Sequence, residues 1–183
     1  MSMILSSRSV SRKLLRSAGA ACIAATAGLA GSTIAVDAAR ADRFEDVGGG
    51  WQAYVNERFG TRLIFPSGFT PAEAPENGDG RRFESEDATL EVYAWENIDG
   101  ENAASLKKRL MGTEGYTNVT YSPSGRSWLV ISGFRGGNIF YEKYFFRADT
   151  IHGFGMEFPR SEKPRYAPIV EEIEDSFRAG WGS

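Results

Sequence analysis

The chain has 183 residues, with 21 basic side chains, 24 acidic side chains, one histidine and one cysteine. A single histidine excludes a zinc site that needs two or more imidazoles from one chain, and a single cysteine excludes an internal disulfide. The acidic balance disfavours nucleic acid and anionic membrane surfaces as partners, because charges of the same sign repel.

The first 41 residues have the pattern of an export signal. A basic stretch precedes an alanine-rich apolar run over residues 18–36, and Ala39-Arg40-Ala41 provides the small residues of a cleavage site. The run is too short and too rich in alanine for a stable membrane span. We therefore expect cleavage after Ala41, no stable span in the mature chain, and a periplasmic or secreted location. Cleavage removes five basic residues and one acid, which leaves a net charge of −7.

The mature chain begins with a glycine-rich stretch and two predicted strand pairs. Residues 42–50 end in three glycines and are predicted to form a flexible leader, so that residues 51–183 form one α+β domain. Aromatic-rich runs on either side of Asn56-Glu57-Arg58 predict a β-hairpin. Prolines and glycines in residues 67–80 predict a loop, and a second strand pair follows over residues 82–85 and 89–95.

Two helices and three strands are predicted for the remainder. Asp99 is the expected N-cap of a helix over residues 100–111, which Gly112 ends. Three strands follow over residues 128–134, 138–147 and 151–158. An apolar stripe then predicts a closing helix, with its residues at helical spacing: Tyr166, Ile169, Val170, Ile173 and Phe177.

The run Trp128-Leu129-Val130-Ile131 determines the predicted fold class. It is apolar without alternation, which is typical of a strand covered on both faces. Two amphipathic helices are available to cover those faces. The sequence therefore predicts an α+β fold, a mainly antiparallel twisted sheet with one helix on each face, arranged as an α/β/α sandwich.

Both ends of the predicted domain resemble the PsbP-like superfamily, which is named for an extrinsic subunit of the photosystem II oxygen-evolving complex. Phe59-Gly60, followed by Pro66 and Phe69, matches the superfamily's opening strand, and Ser176-Phe177 matches the end of its closing helix. Asn77-Gly78-Asp79-Gly80 also resembles uncharacterised exported proteins of alphaproteobacteria. The resemblance implies a PsbP-like fold and a non-enzymatic role in docking on larger assemblies, and some members have been linked to divalent metal ions.

Acidic residues around the second strand pair are the candidate metal ligands. Calcium prefers several carboxylate oxygens that converge from a short loop. Pro75, however, occupies the first position of the calcium-loop template and has no side-chain oxygen. Two interpretations stay open, a calcium site and a solvated turn, and the residues concerned are Asp79, Glu84, Glu86 and Asp87.

Four further residues are candidates for binding or catalysis. Arg135, before two glycines, belongs either to an anion-binding turn or to a simple hairpin turn. Tyr93 and Trp95 are docking anchors if their face of the sheet is open, and core residues if a helix covers it. His152 is either a general base or a hydrogen-bonded core residue. No catalytic residue is assigned, because the mature chain has neither a cysteine nor a Gly-x-Ser-x-Gly motif.

These observations predict an exported, non-enzymatic binding or accessory module that docks on an envelope or periplasmic protein. The first alternative is a protein that binds calcium or a small ligand and needs no other cofactor. The second alternative is a small hydrolase that uses His152 or the loop carboxylates.

Overall fold

The computed structural model describes residues 42–181, so the predicted signal peptide over residues 1–41 lies outside the described residues. The described part contains ten strands and two α-helices. In chain order they are β1 (Arg43–Gly48), β2 (Trp51–Val55), β3 (Arg62–Pro66), β4 (Thr70–Pro71), β5 (Gly80–Glu84), β6 (Thr89–Glu96), α1 (Ala103–Met111), β7 (Val119–Tyr121), β8 (Trp128–Arg135), β9 (Asn138–Phe146), β10 (Thr150–Pro159) and α2 (Lys163–Ser176), the last preceded by a 3-10 turn at Arg160–Glu162.

The first three strands form a small antiparallel sheet in the order β1-β2-β3. The pairing of β2 with β3 confirms the predicted hairpin. The leader prediction differs from the structure, because Arg43–Gly48 forms β1 and pairs with β2, with Arg43 opposite Val55. All six residues of β1 are exposed. The strand therefore has no hydrophobic alternation by which the sequence alone could reveal it.

The other seven strands form a second antiparallel sheet in the order β4-β5-β6-β10-β9-β8-β7. The predicted pair β5–β6 and the three predicted strands β8, β9 and β10 are confirmed. Strands β4 and β7 are additional. They have two and three residues, which is too short for a periodic pattern.

Helix α1 begins at Ala103, three residues later than the sequence predicts. Asn102, and not Asp99, is its N-cap: Asn102 Oδ1 accepts from the backbone N–H groups of Ala104 and Ser105. Ser105 Oγ in turn accepts from the Asn102 N–H at 2.9 Å, which completes a capping box. Leu106 and Leu110 are buried on one side of this helix, as their spacing predicts.

Helix α2 buries most of the predicted stripe and leaves Ile169 half-buried. Tyr166, Val170 and Ile173 are buried, and Phe177 forms the C-cap. Pro164 lies in the first turn, where no intrahelical N–H bond is lost. Pro168 lies inside the helix, beyond its first turn.

The two helices contribute to different apolar clusters. Helix α1 packs with alternate residues of the larger sheet, in a cluster of Ala103, Leu106, Leu110, Leu129, Ile131, Phe140, Tyr144 and Ile151. Helix α2 and the smaller sheet belong to a second cluster, which includes Tyr54, Leu63, Phe65, Phe83, Leu90, Val92, Phe154, Met156, Tyr166 and Ile173. Leu129, Val130 and Ile131 are all buried, as the unbroken apolar run predicts. In the described part of the chain, neither helix has the length and apolar character needed to cross a membrane.

Candidate functional site

Two grooves on the larger sheet are the candidate functional sites. The first, here called the polar groove, has a volume of about 450 Å³. It lies over the centre of the sheet, where Gly155 of β10 is paired with Glu91 of β6 on one side and Glu142 of β9 on the other. Its lining residues are mostly charged: Arg82, Asp87, Thr89, Glu91, Arg135, Asn138, Glu142, Gly155, Met156 and Glu157.

A buried carboxylate organises one wall of the polar groove. Arg135 Nη2 donates to Glu142 Oε1 at 2.7 Å, and the hydroxyls of Tyr116 and Tyr144 donate to Glu142 Oε2 at 2.8 and 2.7 Å. The Arg135 guanidinium also lies 4.1 Å from the centre of the Phe140 ring. Burial and the nearby Glu142 charge raise the pKa of Tyr116 to about 12, so its hydroxyl keeps its proton and remains a donor at neutral pH. This wall is therefore fixed by hydrogen bonds from three sides.

The opposite walls of the polar groove are less constrained. Arg82 Nη1 donates to Glu91 Oε1 at 2.7 Å, and both of these side chains are about half exposed. Glu157 Oε1 accepts from Asn138 Nδ2 at 2.9 Å, and Glu157 Oε2 lies 3.4 Å from Arg135 Nη1. Glu91 and Glu157 thus keep acceptor capacity toward the groove.

The second groove, here called the apolar groove, has a volume of about 560 Å³. It lies between α2 and the strands at one edge of the larger sheet. Val130 of β8 is buried in its floor, and Tyr121 of the edge strand β7 is 58% exposed. Aromatic and aliphatic side chains dominate a lining that includes Tyr121, Pro123, Trp128, Val130, Phe134, Ile139, Tyr141, Phe158, Ala167 and Val170.

Charged side chains mark the rim of the apolar groove. Glu174 of α2 accepts hydrogen bonds from the Lys143 ammonium and the Tyr141 hydroxyl. Lys143 Nζ also lies 5.8 Å from the centre of the Trp128 ring. Burial and the hydrogen bond to Glu174 raise the pKa of Tyr141 well above its usual value, so Tyr141 stays a neutral donor. These contacts connect α2 to β9 at the boundary of the groove.

His152 is buried, with only 1% of its surface exposed. Its Nδ1 lies 2.7 Å from Thr61 Oγ1, and its Nε2 lies 2.8 Å from Thr150 Oγ1. Burial, followed by repulsion from Arg147, lowers the pKa of His152 to about 4. Both ring nitrogens are engaged, so this residue is a hydrogen-bonded core residue and presents no free base to a substrate.

The candidate metal ligands do not converge. Asp79 Oδ2 accepts from Asn77 Nδ2 at 2.7 Å, and Glu84 Oε1 accepts from Arg82 Nε at 2.9 Å. Asp87 accepts from the Tyr166 hydroxyl, whereas Glu86 lies in the turn between β5 and β6. Within residues 42–181, no group of three or more His, Cys, Asp or Glu side chains is arranged to hold a metal ion. The calcium site stays a prediction, and the arrangement of these four side chains does not add support for it.

Of the predicted binding residues, Arg135 lines the polar groove, whereas Tyr93 and Trp95 do not. Tyr93 and Trp95 are half-buried against the α1 cluster, and the Tyr144 ring lies 5.7 and 6.2 Å from their rings. They therefore take the core role that the sequence allows for them. Arg135 pairs with Glu142 and Glu157, so its guanidinium does not stand free above the glycine turn.

Apart from Asp87 and Arg135, the residues that line the two grooves are not among the predicted site residues. Glu91, Gly155 and Glu142 become neighbours only through the pairing of β6, β10 and β9. The available signal was Gly153-x-Gly155, because two glycines at alternate positions of a strand leave one face without side chains. For the apolar groove, the available signal was the aromatic residue Tyr121, which shortly precedes the apolar run of β8.

Comparison with known proteins shows similarity at the level of the fold. No protein-family model and no curated protein matches the chain. The solution structure of cyanobacterial PsbP (CyanoP) from Synechocystis sp. PCC 6803 has a TM-score of 0.56 and 13% identity, over 73% of this chain and 97% of that chain. A crystal structure from Bacteroides thetaiotaomicron has a TM-score of 0.44 and 13% identity, over 67% of this chain and 46% of that chain. The chain therefore has a PsbP-like fold, as the resemblance at its two ends predicts.

Proposed function

We propose that this protein is an exported, non-enzymatic binding module, located in the periplasm or secreted, that docks on an envelope or periplasmic protein through the apolar groove. The observation that carries the proposal is the groove itself, an aromatic-lined concavity of about 560 Å³ between α2 and strands β7–β9. Stable interfaces rely on a few aromatic anchors in desolvated pockets with a polar rim. The apolar groove has both features.

The occupant that fits best is an extended segment of the partner with an apolar side chain. Strand β7 forms one of the two edges of the larger sheet, so its outer backbone N–H and C=O groups are open to a pairing strand. Tyr121 on this strand stands beside the groove, and Trp128 and Phe134 line it. A segment that pairs with β7 would place alternate side chains over the apolar floor, because side chains of a strand alternate between its faces.

A sandwich arrangement explains why the apolar groove is open. In the proposed α/β/α architecture, α1 covers one face of the larger sheet, and α2 with the smaller sheet covers the other. The separate clusters of the two helices support this arrangement. Helix α2 packs chiefly against β3 and also contacts β10 and β9. Helix α2 thus leaves the part of this sheet face that lies over β8 and β7 available for a partner.

Export is supported by the residue pattern of the first 41 residues, as described above. Mass spectrometry of the protein from the periplasmic fraction should give a chain that starts at Asp42. A chain that retains Met1 in that fraction would contradict cleavage.

A groove variant and a matched surface variant test the docking proposal. Tyr121→Glu places a charge at the groove, whereas Ile98→Glu makes the same change at a side chain that is 85% exposed and outside it. The native protein and Ile98→Glu should retain the same partner from an envelope extract, and Tyr121→Glu should lose it. A partner retained equally by all three proteins, or by none, would contradict docking at this groove.

A further inference from the structure

The two ends of the apolar groove differ in charge. Helix α2 runs along the groove and contributes Lys163 at its beginning and Glu171 and Glu174 near its end. Glu174 already accepts from Lys143, so the two glutamates and this lysine leave that end with a net negative charge. With a rise of 1.5 Å per helical residue, Lys163 and Glu174 lie about 16 Å apart along the helix axis. An extended segment of about five residues covers this distance.

The end of the groove at the beginning of α2 is positive. Lys163 is exposed and lines the groove. Arg160, in the 3-10 turn before α2, places its guanidinium 3.5 Å from the centre of the Phe134 ring, which also lines the groove. Among residues 42–181, neither of these two cations forms a salt bridge with an acidic side chain. Even with Glu162, which belongs to the same turn, this end keeps a net positive charge and attracts an anionic group.

The pairing pattern gives the direction of a segment that is added to β7. All neighbouring strands of the larger sheet are antiparallel, and β7 pairs with β8 so that Val119 lies opposite Gly133. A segment that continues this pattern runs antiparallel to β7 and therefore in the direction of β8, from Trp128 toward Phe134. Its carboxyl end then lies at the positive end of the groove.

A contact between two turns bounds the groove at this positive end. The Arg160 N–H donates to the Gly137 carbonyl at 3.1 Å, which joins the turn before α2 to the turn between β8 and β9. The Arg160 side chain lies over Phe134 at the same place. A chain that stops beside Phe134 needs no path past these turns, and it brings a terminal carboxylate to the two cations.

We propose that the apolar groove binds the carboxyl-terminal segment of the partner protein, about five residues in extended conformation, with the terminal carboxylate beside Lys163 and Arg160. This inference rests on the docking proposed above and adds the chemistry of the bound segment. Alternate apolar side chains of the segment lie over the floor at Val130, and strand β7 supplies the backbone hydrogen bonds. An internal segment of a protein lacks the terminal charge, so the groove distinguishes a chain end from an internal sequence.

Selection from two displayed peptide libraries tests the inference on the immobilised exported chain. One library presents random heptapeptides at the carboxyl end of a carrier, and the other presents the same heptapeptides followed by further carrier residues. We expect enrichment from the first library only, with apolar residues at alternate positions. The best peptide is then synthesised as the free acid and as the amide. Fluorescence anisotropy should show about fivefold tighter binding of the free acid, the size expected for a partly exposed charge pair.

A groove lysine and a matched surface lysine place the carboxylate. Lys163→Gln should remove most of the preference for the free acid and leave the affinity for the amide unchanged. Lys108→Gln makes the same change at an exposed lysine of α1 outside the groove and should keep the preference. Circular dichroism melts of the variants establish that each is folded.

Several results would overturn the inference. They are equal binding of acid and amide, a preference that survives Lys163→Gln or is equally lost in Lys108→Gln, and enrichment from the second library alone or from neither library. Tyr121→Glu distinguishes these failures from a failure of docking itself. A selected peptide that binds equally as acid and amide, but not to Tyr121→Glu, would leave docking in place and refute the carboxyl-terminal inference. A peptide that binds Tyr121→Glu as well as the native protein would contradict docking at the groove.

Discussion

The single histidine allows one prediction to be developed in detail. His152 is buried between Thr61 and Thr150, and burial with repulsion from Arg147 lowers its pKa from 6.5 to about 4. In the unfolded chain the imidazole regains its ordinary pKa near 6.5. Between these two values the unfolded chain therefore binds more protons than the folded chain. The contribution of His152 to stability is complete above about pH 6.5 and is lost as the pH falls toward 4.

The magnitude follows from the same two pKa values. One pKa unit corresponds to about 1.4 kcal/mol, so the interval from 6.5 to about 4 corresponds to about 3 kcal/mol. The side chain is almost inaccessible to water, so solvent screening does not reduce this figure much. We expect the native protein to lose about 3 kcal/mol more of its unfolding free energy over this interval than His152→Gln, which cannot titrate.

Two measurements check the histidine prediction. Urea unfolding of both proteins at several pH values between 7 and 4 gives the difference in pH dependence, in which contributions from other groups cancel. The imidazole proton signals of the native protein give the pKa directly, because only one histidine is present. A midpoint near 6.5, or the same pH dependence in both proteins, would refute the reasoning.

Two further predictions concern the α1 cap and the buried ion pair. Asn102→Ala should lower the unfolding free energy by about 1 kcal/mol in a urea titration, whereas Asp99→Ala should have little effect, because Asn102 accepts the first N–H groups of α1. A larger loss of unfolding free energy in Asp99→Ala than in Asn102→Ala would contradict Asn102 as the N-cap of α1. Arg135→Met should cost about 3 kcal/mol, because it leaves the buried Glu142 carboxylate without its cation. Arg82→Met removes a half-exposed pair and should cost about 1 kcal/mol or less, and equal costs would contradict the role of burial.

The sequence predicted the elements that carry strong local patterns. The β8 run around Val130 and the α2 stripe around Ile173 are dense in apolar residues, and both were placed within a few residues of their observed bounds. Strand β1 escaped prediction because its residues are exposed and its stability depends on pairing with β2. The α1 cap was misplaced because Asp99 and Asn102 are both good capping residues, and only the backbone conformation distinguishes them.

The candidate sites depend on pairing between strands that are distant in the chain, and no local sequence pattern reveals this pairing. Glu91, Glu142 and Gly155 lie far apart in the chain and meet across three strands. Knowing that β10 lies between β6 and β9 would have been sufficient to find the polar groove. The apolar groove depends on where α2 stops covering the sheet, and this is set by its packing on β3. Such packing cannot be inferred from the α2 stripe alone.

The most direct test of the proposed function is photo-crosslinking in living cells. A benzophenone amino acid replaces Tyr121 at the apolar groove in one strain, and Ile98 in a second strain as the exposed control. Docking at the groove predicts one discrete cross-linked protein from position 121 and none from position 98. The same products from both positions, or no product from position 121, would contradict it.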